Sequence, residues 1–307
     1  MIRLAPVALF LCQAGGLALT CPDRSRGGEA QEGRVEGVKP KYATEKSGKD
    51  KVFTEMTMGI KIEGSDVMAN FVRSMHPFLS IERMVARAGG TRQVTGPKKV
   101  RVENDEARVE LRYDDENHEY DYTKGDPMPG AQDKLKQMLF FFAAGGKNYS
   151  LSAEGEYKSD DATQDHNGEA MDLIANAITR MPDKPVKEGD TYVKEFTGLR
   201  SEKNKKGKFA FKQSVKVEKI EEKDGKRVVT LASDLTGELK DAKDPSAEEN
   251  WTKCEGKTKT RIEVETGRVL YSEGSGKVTG YFRNTAENGA RQELTLTFSI
   301  SGKLEVK

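Results

Sequence analysis

The chain reads as an α+β fold: mainly antiparallel β-sheet of about ten strands, with about three helices confined to residues 66–180. Three observations predict it. Apolar residues alternate with a two-residue period at both ends of the region beyond residue 50, as in Val52-Thr54-Met56-Met58-Ile60-Ile62 and Leu294-Leu296-Phe298-Ile300. Short turn signals, such as Asp224-Gly225 and Glu265-Thr266-Gly267, separate alternating runs. Helical spacing occurs only between those regions, so strand and helix do not take turns as in a doubly wound fold.

The elements follow in order. Residues 52–62 predict a strand with one wet face. Val67, Phe71 and Met75, then Ile81, Val85 and Ala88, predict helix over 66–88, divided by Pro77 and stopped by Gly89-Gly90. Val100 and Val102, then Val109, Leu111 and Tyr113, predict a hairpin turning at Asn104-Asp105-Glu106, and Tyr120 and Tyr122 a further short strand. Leu135, Met138, Leu139 and Phe142 predict a helix over 131–144, ended by Gly145-Gly146. Tyr149 and Leu151 resume strand spacing, and Met171, Ile174 and Ile178 predict a helix over 168–179. Beyond Pro182 the pattern is nearly all strand. Such a sheet is expected to curl around the helices like a half-barrel, as one domain over 51–307 or as two lobes, 51–180 and 181–307.

Residues 1–21, MIRLAPVALFLCQAGGLALTC, have the layout of a secretory signal peptide. Arg3 precedes an apolar run from Leu4 to Leu11, small residues follow, and the chain then turns polar. The run is too short for a membrane helix of about 20 apolar residues. Export to the periplasm, the surface or the medium is expected. Residues 22–50 are dominated by charge and glycine and predict a disordered tether, in which only Val35, Val38 and Tyr42 suit a core. Cys21, at the cleavage point, has three open fates: lipidation, a disulfide with Cys254, or a free thiol. Ala18-Leu19-Thr20 departs from a lipobox, so a lipid anchor is the second choice behind a soluble exported form.

Composition excludes some partners. With 51 basic and 50 acidic residues the net charge is +1, so no bulk field recruits nucleic acid. A membrane partner is expected only if Cys21 carries lipid. His76, His118 and His166 are scattered, and alternation splits His118, Glu119 and Asp121 between two faces, so no metal ligand is assigned. In the stretch 160–169, aligning Gly168 with a calcium-loop glycine puts Thr163 and Ile174 where carboxylates belong. Residues 274–277, GSGK, lack a phosphate loop's first glycine, because Tyr271 stands there, and Val278 replaces its Ser or Thr. The basic run Lys203–Lys208 has no interleaved aromatics and reads as a charged hairpin tip. No catalytic or cofactor-binding residue is assigned. The expected role is non-catalytic: binding an apolar small molecule or a cell-envelope protein. The alternative is an extracytoplasmic hydrolase using acidic residues such as Asp114, Asp115 or Glu116.

One segment carries a resemblance. Met181-Pro182-Asp183-Lys184-Pro185-Val186-Lys187-Glu188-Gly189-Asp190-Thr191-Tyr192 resembles the lP-x-x-PV-x-x-GD-x-W segment of a group of uncharacterised exported bacterial proteins, with Tyr192 at the usual Trp. Gly146-Lys147-Asn148-Tyr149 and Glu265-Thr266-Gly267-Arg268-Val269 are similar to that group's strand and hairpin motifs. The resemblance implies an extracytoplasmic sheet domain and transfers no catalytic residue. Physically, the two prolines hold an extended lead-in and Gly189-Asp190 turns it into a strand.

Overall fold

The computed structural model describes residues 37–42, 49–75, 77–96, 99–113, 115–121, 147–155, 157–159, 178–199, 208–240, 251–285 and 291–306. These form one twelve-stranded, antiparallel sheet. The strands are β1 (Lys49–Gly64), β2 (Ile81–Gly96), β3 (Lys99–Tyr113), β4 (Glu116–Asp121), β5 (Lys147–Leu151) and β6 (Tyr157–Ser159). The second half of the chain adds β7 (Thr191–Leu199), β8 (Lys208–Lys223), β9 (Lys226–Lys240), β10 (Trp251–Glu263), β11 (Val269–Thr285) and β12 (Arg291–Val306). The order is β6-β5-β3-β2-β1-β12-β11-β10-β9-β8-β7, with β4 also on β3. Both halves of the chain therefore share one sheet, joined where β1 pairs with β12. The sheet is open and uncurled: its terminal strands do not pair, so the expected half-barrel is not formed.

Among the described residues there is one α-helix, α1 (Asp66–Met75), followed by a 3-10 turn at Pro77–Ser80. The expected helices at 131–144 and 168–179 lie outside the described residues, apart from Ile178 and Thr179. The expected helical stretch 81–88 is strand β2. A register shift between Ile81 and Arg83 lets Ile81 and Met84, three apart, both reach the interior, which imitates helical spacing. Beyond it, Met84, Ala86 and Ala88 sit opposite Met58, Met56 and Thr54 of β1. The expected turn at Asn104–Glu106 is also a bulge. Gly89 faces Glu106 and Gly90 faces Asn104, leaving Asp105 as the extra residue of an unbroken β3. The turns at Asp224-Gly225 and Glu265–Gly267 form as expected, with Asp224 at φ 53° and Gly225 at φ 72°.

One face of the sheet carries the core in two clusters. In the first, Met68, Ala69 and Val72 of α1 pack with Met58, Met84, Leu294, Leu296 and Phe298. In the second, Val215, Val217, Leu231, Ile262 and Leu304 are covered by Val38, Tyr42, Met181 and Val186. Part of the expected tether is thus folded: Val38 bridges Val186, and the Tyr42 hydroxyl donates to the Thr179 carbonyl at 2.9 Å. Burial raises the Tyr42 phenol's pKa well above its ordinary value, so it stays a donor. The remainder of the tether that lies before residue 37 is outside the described residues.

Residues 181–186 belong to this cover. Met181 and Val186 are buried, Gly189 takes φ 87°, and the Lys187 amide donates to Asp190 Oδ2 at 2.7 Å. The Tyr192 hydroxyl donates to the Arg180 carbonyl at 2.8 Å. Beneath it lies a buried polar relay. Gln213 Oε1 accepts from the Arg180 amide at 2.7 Å, while its Nε2 donates to the Ile178 carbonyl and Ser233 Oγ. Ser233, Thr258 and Thr179 continue the chain of hydroxyl contacts at 2.6 and 2.8 Å.

Candidate functional site: the polar face of the sheet

Strand alternation puts the residues between the core positions on the opposite face. Cross-strand register aligns them in rows. One row runs Gly59, Ser299, Lys277, Glu255, Thr236, Lys212, Glu195 from β1 to β7. The next runs Thr57, Ser301, Ser275, Lys257, Asp234, Ser214, Val193. A third begins Glu55, Lys303, Glu273, Lys259, with signs alternating between neighbours. Opposite charges facing across strands stabilise such a face modestly.

The middle of this face is cut away. Thr57, Gly59, Ser275, Ser299 and Ser301 are all small, and over them lies a hollow of about 790 Å³ bounded by Asp234, Glu255, Lys257 and Lys277. A second hollow of about 480 Å³ shares Thr57, Lys257, Ser275 and Ser301 with it and reaches Glu218, Lys259 and Lys303. A third, of about 940 Å³, shares Thr236, Glu255 and Lys277 and reaches Glu195, Lys212 and Lys253. Shared walls make the three one trough.

Its charges are mostly solvated. Lys257 and Asp234 stand 3.7 Å apart with side chains 81% and 68% exposed, a pair that water screens to little net energy. Lys259 donates to Glu218 at 2.8 Å, and that bond raises its pKa. Tyr271 donates to Glu273 at 2.7 Å, which pushes its phenol up to about 12. The trough therefore offers hydroxyls, ammonium groups and carboxylates to whatever lies in it, without a buried acid–base pair.

The residues singled out in the sequence lie elsewhere. Asp115, at φ 63°, and Glu116 form the exposed β3–β4 turn, with Arg112 Nη2 at 3.6 Å from Asp115; Asp114 is outside the described residues. His118 stacks beside Tyr120 on β4 with Glu116 at 3.8 Å, while His76 and His166 fall outside. Among the described residues no group of three His, Cys, Asp or Glu side chains could hold a metal ion. The GSGK stretch lies inside β11. Cys12, Cys21 and most of the run Lys203–Lys208 are outside the described residues.

Cys254 sits in the first core cluster, and burial, with Glu255 beside it, pushes its thiol up to about 12. We expect a water-soluble thiol reagent to label it only as fast as the protein opens. Labelling of the native protein at the rate of a free thiol would refute its burial.

Sequence reasoning missed the trough. Its signal is the run of Ser, Thr and Gly at polar positions of three strands, and only register shows that they meet. No protein-family model matches the chain, and no curated protein matches it.

Proposed function

We propose that the protein is an exported, non-catalytic binding protein of the cell envelope, which holds a polar partner on the trough face of its sheet. The trough carries this reading: the described hollows open on the charged face, whereas the apolar face is packed under α1 and residues 37–42 and 178–186. That arrangement favours an envelope partner over an apolar small molecule. The signal-like residues 1–21 support export, with Cys21 free or lipidated according to how the leader is processed.

Two measurements test it. The intact mass of protein taken from its own host should lack the leader, and a mass with Met1 retained would overturn export. A photocrosslinker at Ser275 should trap one partner, and the pair Lys257→Glu and Lys277→Glu should reduce that adduct about tenfold or more. Both lysines are exposed, and each reversal sets a carboxylate opposite Asp234 or Glu255, so the pair should cost no more than about 1 kcal/mol per site and leave the fold intact. An adduct insensitive to both reversals would remove the trough from the interaction.

A further inference from the structure

Among the described residues the sheet ends at β7, and the backbone there is set up to continue it. The Val217 amide donates to the Asp190 carbonyl at 2.9 Å, just before β7 starts, and the register continues from there as Thr191 opposite Lys216 and Tyr192 opposite Val215. In an antiparallel pair every second residue exchanges both backbone bonds with its partner. Counting from Asp190, residues 192, 194 and 196 bond toward β8. Thr191, Val193, Glu195 and Thr197 then direct their N–H and C=O groups away from the sheet. Val193 is also 53% exposed, a large apolar side chain between Thr191 and Glu195 on that face.

We propose that a second copy of this chain pairs here, β7 against β7, antiparallel about a two-fold axis at Val193. A two-fold axis normal to the sheet requires a residue of β7 to face itself. Centred on Lys194 or Glu195, the pairing sets like charges opposite, which is destabilising. Centred on Val193, it joins the two exposed valines and sets Thr191 opposite Glu195 and Tyr192 opposite Lys194, with no like pair. The outward groups of residues 191, 193 and 195 then meet their equivalents in the partner. The result is a continuous sheet through both copies, with the trough that reaches Glu195 carried up to the junction.

Analytical ultracentrifugation of the purified protein over a concentration series should give twice the chain mass, falling to one chain on dilution. Amide exchange should slow at 191, 193 and 195 as the dimer forms, while 192, 194 and 196 are already slow. Thr191→Glu places carboxylates opposite Glu195 of the other copy and should shift the midpoint of association at least tenfold upward in concentration. Thr191→Glu with Glu195→Lys restores opposite charges and should return it. Both positions are exposed, so the fold tolerates these changes. A single-chain mass at every concentration overturns the proposal, as does a dimer that Thr191→Glu leaves intact. Capture of an unrelated extended peptide by a β7 edge that stays monomeric overturns it equally.

Discussion

Replacing Gly64 with alanine is expected to cost about 3 kcal/mol or more of folding stability. Gly64 closes β1 at φ 143°, a conformation that side-chain-bearing residues rarely adopt, and a Cβ built there overlaps the carbonyl oxygen of Glu293. That obstacle is backbone of the neighbouring β12 and cannot rotate aside. Relief requires moving the strand end, where the Ser65 amide also reaches Glu293 and the Ala69 amide bonds back to Ser65 to start α1. The displacement would draw Met68 and Val72 away from Leu294 and Leu296. Gly225→Ala is the comparison: φ there is 72°, nothing lies within 4 Å, and the cost should stay near 1–2 kcal/mol, the backbone term alone. Denaturant unfolding of both variants tests the difference. Equal losses would mean that Glu293 yields.

Gln213→Leu should be nearly as damaging, at about 3 kcal/mol. The change keeps the volume and removes all of the side chain's hydrogen bonding. Gln213 is fully buried; the part-buried Arg180 amide and Ile178 carbonyl would lose their bonds to it, and Ser233 Oγ would lose a bond in the buried interior. Each buried group left unsatisfied costs about 1–3 kcal/mol. Because Arg180 and Ile178 belong to the segment that covers the second core cluster, the loss should be local before it is global. Limited proteolysis should cut near residues 178–186 in the variant under conditions where the parent resists. A midpoint loss below about 1 kcal/mol would show that water substitutes for the amide.

These two residues mark where the sequence stops being readable. Strands with unbroken alternation, such as residues 52–62 and 294–300, declare their two faces without help from neighbours. Ile81–Ala88 does not, because the bulge beside Ile81 breaks the period and imitates a helix. Asn104–Glu106 has the composition of a turn and forms a bulge, since β2 offers paired backbone on both sides of Asp105. Gln213 sits in an alternating strand where the pattern asks for an apolar residue; only the covering segment, distant in sequence, explains it. The trough is still less legible. Ser275, Ser299 and Thr57 are ordinary polar positions until register sets them side by side.

The pairing of β1 with β12 has a temporal consequence. Val52 lies opposite Val306, so the seam between the two halves of the sheet closes only when the last strand is present. Neither half can complete its interior earlier: Leu304 of β12 belongs to the same cluster as Val52, and Asp50 reaches Arg268 across 218 residues. Contacts so remote in sequence form slowly, because the loop they close must be ordered before they contribute. A chain emerging from the ribosome therefore cannot close this seam until β12 has been made.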